Sequence, residues 1–123
     1  MILVDSSVWI SHLRAADERL SALLDRREVM GHPFVTGEVS LGYLRHRDRV
    51  LRELQELPQA AVAEDAHVLE FINRLPLFGR GVGYVDAHLL AAVRLTPDTK
   101  LWTAERRLRA VAAELGVAAM LPH

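Results

Sequence analysis

Four acidic side chains stand where a fold could gather them: Asp5 behind the apolar run Ile2, Leu3 and Val4, Glu38 shortly after Thr36, Asp86 after Gly83, and Glu105 after Thr103. Asp5 is expected to end a strand, and the other three to occupy the first turns of helices that follow a strand or a glycine loop. In open α/β sheets ligands bind beyond the carboxyl ends of the strands, so acids distant in sequence can meet there. Such a meeting is unstable on its own. Two carboxylates at about 4 Å, with an effective dielectric near 20, repel by about 4 kcal/mol, which protonation or a cation must relieve. Mg²⁺ suits the task, since it prefers oxygen ligands and keeps several waters while held by one or two carboxylates and a phosphate. An ion so held can orient a water, help deprotonate it and neutralise charge building on a phosphodiester. A plainer reading competes: acids in a first helical turn are favoured by the macrodipole by about 0.3–1 kcal/mol without any metal, and Asp5 could serve only as a cap.

The elements that must position these acids alternate between short apolar runs and helical patterns, which predicts an α/β domain with a mainly parallel sheet. Met1 to Asp5 reads as a buried central strand, because Ile-Leu-Val offers apolar side chains to both faces of a covered sheet. Ser6 and Ser7 then suit a helix cap. Leu13, Leu20, Leu23 and Leu24 predict one helix or two within residues 8 to 27. A strand is expected around Val29 to Val35, interrupted by Gly31 and Pro33, then a helix capped by Thr36 running to about His46 and another opened by Asp48 and ended by Pro58. Ala60 to Ala63 reads as a short strand, and Asp65 as the cap of a helix bearing Val68, Leu69, Ile72 and Leu75. Gly79, Gly81 and Gly83 lead into a helix from Tyr84 to Leu95 that is apolar nearly all round and should be buried. A strand at Lys100 to Thr103, a helix at Ala104 to Leu115 and an edge strand at Val117 to Leu121 complete the expected fold, with right-handed crossovers.

Composition narrows the field. With 123 residues, half of them hydrophobic, the chain can bury one core and should form one domain over 1–123. No apolar stretch is long enough to span a membrane, and no basic segment precedes Asp5 to suggest targeting. The absence of cysteine excludes disulfides, thiolate zinc sites and a cysteine nucleophile, and a cytoplasmic location is expected. Fifteen basic residues against sixteen acidic ones supply no global field for a polyanion, so nucleic-acid contact would need a local patch.

Arg80, Arg106 and Arg107 flank the acids and are candidates for phosphate contact, whereas Arg45, Arg47, Arg49 and Arg52 read first as a solvated face. The histidines show no zinc spacing such as HExxH, and His88, two positions beyond Asp86, falls on another side of its helix, as a packing or polar structural residue. Trp9 and Trp102 are expected in the core or at an interface, and Phe71, Leu75, Leu77 and Phe78 as a helix face that packs, on a second subunit if not on the chain itself. The glycine loop follows a helix and lacks GxGxxG spacing, which argues against a nucleotide cofactor.

The segments MILVDSSVWISHL, HPFVTGEVSLGYL, GRGVGYVDAHLLAA and KLWTAERRL, in this order and spanning residue 1 to about 109, resemble the PIN-domain toxins of VapBC toxin-antitoxin modules. The resemblance implies a PIN-like three-layer α/β/α domain, Mg²⁺ or Mn²⁺ at an acidic cluster, and endonucleolytic cleavage of RNA. Carried over by position, Asp5 and Asp86 would be the direct metal ligands, Glu38 and Glu105 would complete the cluster directly or through water, and Ser7 and Thr103 would support it. Members usually carry Asp where this chain has Glu105, and the longer side chain could shift the ion or weaken a second one. The resemblance further implies a cognate antitoxin whose C-terminal segment lies over the site, and commonly a toxin homodimer. An antitoxin Arg or Lys reaching the acids would replace the charge of the metal.

Two alternatives come from other classes. Glu105 motivates a catalytically weak PIN module that binds RNA or a protein without cutting. A phosphoaspartyl protein is disfavoured, because a haloacid-dehalogenase phosphatase needs a second Asp where this chain has Ser7, and the order of acids does not fit a receiver domain.

Overall fold

The computed structural model describes residues 1–121. The last two positions of the expected domain, Pro122 and His123, lie outside the described residues. At its centre is β1 (Ile2–Val4), flanked by β2 (Val29–Met30) and β3 (Lys100–Trp102) in the order β2-β1-β3. Both pairings are parallel, with Ile2 opposite Val29 and Lys100, and Val4 opposite Trp102. Successive strand residues point to opposite faces, yet Leu3 and Val4 are both 0 % exposed. Both faces of the sheet are therefore covered, as the unbroken apolar run required.

From β1 the chain passes through α1 (Ser6–Arg14) and α2 (Glu18–Asp25) to β2, then through α3 (Pro33–Ser40), α4 (Arg47–Glu56), α5 (Asp65–Arg74) and α6 (Tyr84–Leu95) to β3, and ends in α7 (Arg106–Glu114). Helix α6 buries every residue from Ala87 to Val93, which matches its all-round apolar character. Each fully buried leucine there, such as Leu89 or Leu90, contributes about 1.5–3 kcal/mol. Trp9 and Trp102 belong to the same core, and Arg19 lies over the Trp102 ring at 5.1 Å.

Several boundaries differ from the sequence reading. The strand expected at Val29 to Val35 stops at Met30, because Pro33 opens α3 and His32 caps it by accepting the Phe34 amide at its Nδ1, 3.0 Å away. Thr36 is thus inside α3 rather than at its cap. The strand expected at Ala60 to Ala63 shrinks to a bridge between Gln59 and Gly31, and the one expected at Val117 to Leu121 to a bridge between Ala118 and Leu101. Helix α5 is capped at Glu64, with Asp65 its first residue. Phe71 and Leu77 are buried in the chain's own core, so of the four apolar residues expected as a packing face only Phe78 is strongly exposed.

Candidate active site

Asp5 follows the last residue of β1 and caps α1, its Oδ1 accepting the Ser6 amide at 2.8 Å. It is only 2 % exposed, and a buried carboxylate needs hydrogen bonds to offset lost hydration. Oδ2 finds them in two hydroxyls, Ser7 Oγ at 2.7 Å and Thr103 Oγ1 at 2.8 Å. Thr103 directly follows β3, and its Oγ1 accepts the Glu105 amide at 3.0 Å, while Ser7 Oγ accepts the Ala104 amide at 3.1 Å. The carboxyl ends of β1 and β3 are thereby knitted together around one carboxylate. Ser7 and Thr103, the two hydroxyls singled out in the sequence, both bond Asp5.

Glu38 lies in the second turn of α3, since that helix begins at Pro33 rather than Thr36. Its Oε1 accepts Ser6 Oγ at 3.1 Å, and the same hydroxyl is 3.5 Å from Asp5 Oδ1. Ser6 therefore bridges two acids from different elements, a role that sequence reading limited to helix capping did not find. Partial burial raises the Glu38 pKa, the Ser6 bond opposes this, and the negative charges of Asp5 and Glu105 add to the rise.

Asp86 is the third residue of α6, and its Oδ2 accepts the Gly83 amide at 3.3 Å. Gly83 has no side chain to return a capping bond, so half of a capping box is all this helix start can have. Burial pushes the Asp86 carboxyl up to about 6, with further upward pressure from Asp5, Glu105 and Glu38 against the downward pull of the Gly83 bond. All the other acids of the expected set thus bear on Asp86. Glu105 is exposed at the N-cap of α7.

The four side chains share one rim at the carboxyl end of the sheet, but among the described residues no three acids or histidines already close into a metal shell. The donors available are all hard oxygens, which suits Mg²⁺ or Mn²⁺ and not a zinc site.

The arginines divide. Arg80 makes a two-pronged ion pair with Glu114, both bonds 2.8 Å, so its guanidinium is engaged within the chain rather than presented alone to a phosphate. Arg107 packs against Gly81, whose φ of +77° suits glycine. Arg106 is exposed in the first turn of α7 beside Glu105.

His88 is buried, as its structural reading anticipated, with Nε2 at 3.1 Å from Asp65 Oδ1. Tyr84 Oη donates to the same oxygen at 2.8 Å. The His88 ring meets Tyr84 at 4.8 Å and Phe34 at 4.7 Å between centroids, both edge-on, and Phe34 in turn meets His32 at 5.1 Å. Burial and the nearby His88 hold His32 down to about 4. Nothing local in the sequence links Asp65 with Tyr84 and His88.

Comparison with known proteins gives concordant matches. A family model described as the PIN domain matches residues 2–114. Ribonuclease VapC32 of Mycobacterium tuberculosis strain CDC 1551 / Oshkosh is 51 % identical over 118 residues, covering 96 % of this chain and 95 % of the relative. Ribonuclease VapC32 of strain ATCC 25618 / H37Rv matches with the same 51 % identity and the same coverage of 96 % and 95 %.

Proposed function

This chain belongs to the PIN-domain family and is of the VapC type, and from that premise we propose that it is a divalent-metal-dependent endoribonuclease acting as the toxin of a type II toxin-antitoxin module. The observation that carries the reading is that Asp5, at the carboxyl end of β1, is joined to Glu38 through Ser6 Oγ and to the end of β3 through Thr103 Oγ1, with the charges of Asp5, Glu38 and Glu105 near enough to act on Asp86. The ribonuclease named in both relatives supports RNA as substrate.

In this mechanism Asp5 and Asp86 would hold Mg²⁺, with Mn²⁺ as a substitute, and Glu38 and Glu105 would complete the cluster. When bound, the ion supplies positive charge that orients and acidifies a water and offsets charge developing on the phosphodiester. Ser7 and Thr103 hold Asp5 in its orientation, each donating a hydrogen bond to its Oδ2. Ser6 steers Glu38 toward Asp5. Arg106 and Arg107, exposed at the start of α7, would meet RNA phosphates, Arg107 by leaving its contact with Gly81.

The partner in this reading is a cognate antitoxin, which would supply an Arg or Lys to the acids in place of the metal's charge. A groove of about 500 Å³ between α1 and the end of α3, lined by Ile10, Leu13, Val39, Tyr43 and Leu44 together with Arg14 and Arg45, offers a mixed apolar and basic surface for it, with Leu41 also strongly exposed. The active toxin would be a homodimer in the cytoplasm; among the described residues no helix is long and apolar enough to cross a membrane.

The test is cleavage of RNA with Mg²⁺ by the purified chain and by Asp5→Asn and Asp86→Asn, which preserve side-chain size. Each substitution is expected to lower the rate by about 100-fold or more. Undiminished cleavage in either variant sinks the reading. A second reading, a PIN module that binds RNA or a protein without cutting, is motivated by the longer Glu105 side chain at an exposed N-cap. No cleavage by the wild type but cleavage by Glu105→Asp would favour it.

A further inference from the structure

Helix α6 carries Asp86 but, among the described residues, lacks an independent cap: the Gly83 amide donates to Asp86 itself, at 3.3 Å. An acid that turns toward an ion must loosen that bond, and the first turn of α6 would lose its own capping contact at the moment Asp86 is needed in place. A second tie exists. Asp65 Oδ1, on the first residue of α5, accepts Tyr84 Oη at 2.8 Å and lies 3.1 Å from His88 Nε2. A carboxylate has no proton to give, so Nε2 carries the hydrogen and donates. Tyr84 and His88 stand two residues before and two residues after Asp86, so one oxygen grips the helix on both sides of the acid.

The same grip reaches Glu38. The buried His88 ring is held edge-on between Tyr84 and Phe34, and Phe34 lies four residues before Glu38 on α3, along the same helical stripe. A rotation of His88 would let α3 and α6 shift relative to one another, and with them Glu38 and Asp86.

We propose that Asp65 is a positioning residue for the acidic cluster: by holding Tyr84 and His88, it fixes the first turn of α6 and the α3–α6 spacing, so that Asp86 and Glu38 stay where a divalent ion can use both. The inference rests on the reading that these acids bind such an ion. It assigns Asp65 no contact with ion or substrate. Groups that hydrogen-bond a metal ligand directly typically change metal affinity by about 10- to 100-fold when removed, and Asp65, which acts through the backbone of α6, is expected at the lower end of that range.

Asp65 is well suited to a test because its side chain is 79 % exposed, so replacing it leaves no hole in the core. Mn²⁺ binding would be measured by electron paramagnetic resonance on the intact chain, for the wild type, Asp65→Ala, Asp65→Asn and Asp5→Asn, with amide hydrogen exchange at Gly83 to Ala87 followed without metal. Asp65→Ala is expected to bind Mn²⁺ about tenfold more weakly or worse and to exchange those amides several-fold faster. Asp65→Asn keeps an oxygen acceptor for both donors and should restore both readouts to within about twofold. Wild-type affinity and exchange in Asp65→Ala would overturn the proposal, as would an equal loss in Asp65→Asn, which would point to charge rather than to the hydrogen bonds. If the wild type itself shows no Mn²⁺ uptake that depends on Asp5, the metal-nuclease reading falls and this proposal falls with it. Binding that depends on Asp5 but not on Asp65 removes the positioning role alone.

Discussion

Replacing Asp86 with Asn should make the metal-free protein more stable at neutral pH. The carboxyl titrates near 3.8 when unfolded and is pushed up to about 6 in the fold, first by burial and then by Asp5, Glu105 and Glu38. Because the folded value is the higher one, the folded state keeps a proton that the unfolded state has released between these limits. Stability from this proton is therefore complete below 3.8 and is lost as the pH rises through about 6. At about 1.4 kcal/mol per pH unit, the full difference would cost the ionised wild type about 3 kcal/mol. Asp86 is only partly buried at an edge that water reaches, and screening there reduces the expected figure to about 1 kcal/mol. Asn does not titrate, yet it can still accept the Gly83 amide. The gain should be near zero at about pH 4 and about 1 kcal/mol at about pH 7, or about 4 °C in Tm for a chain of this size. Urea denaturation in chelator across that range measures it. A variant that is less stable than the wild type at neutral pH, or a gain that does not vary with pH, would refute the account of a strained acidic cluster. Adding Mg²⁺ should reverse the order, since only the wild type can bind it well.

Other outcomes follow from the same geometry. Mg²⁺ at a hundred times its dissociation constant should stabilise the wild type by about 2.7 kcal/mol, and chelation should abolish RNA cleavage; cleavage that persists in excess chelator would contradict the metal role. Thr103→Val removes a buried hydroxyl that donates to Asp5 at 2.8 Å and should cost about 1.5–3 kcal/mol by denaturation, whereas a negligible loss would mean that the bond is not made in solution. Glu105→Asp should retain cleavage within about tenfold of the wild type while changing the metal concentration needed for half-maximal rate, and an unchanged metal dependence would place Glu105 outside the cluster. Gly81→Ala, at φ +77° and against the Arg107 side chain, should lower stability by about 1 kcal/mol or more, which thermal denaturation would show.

The parts of the site that sequence alone made legible are those with strong local signals. The Ile-Leu-Val run stopped by Asp5 could hardly be anything but a buried strand delivering an acid to its carboxyl end, and the glycine before Tyr84 marked the helix on which Asp86 sits in the first turn. Glu38 was placed one turn too early because Thr36 is a familiar cap and histidine is not, yet the His32 imidazole and Pro33 start the helix. The short apolar stretch through Val35 reads equally well as strand or helix, and burial against the core decided for helix. Ser6 was read as a cap because its bond to Glu38 joins residues 32 positions apart. The Asp65 grip was invisible for the same reason: Tyr84 and His88 meet an acid from another helix only after packing.

The central strand is made first, and of its two neighbours β2 follows early whereas β3 pairs to it across almost the whole sequence. Asp5 receives its Thr103 hydroxyl only through that pairing. Contacts so far apart in sequence form slowly, because loop closure must precede them. On the function proposed above, a hydrolytic centre assembled in this way would have no working fragment: while the polypeptide is still emerging from the ribosome, its first acids would be synthesised but unarmed. The surrounding RNA is exposed to a competent enzyme only when the late strand has docked.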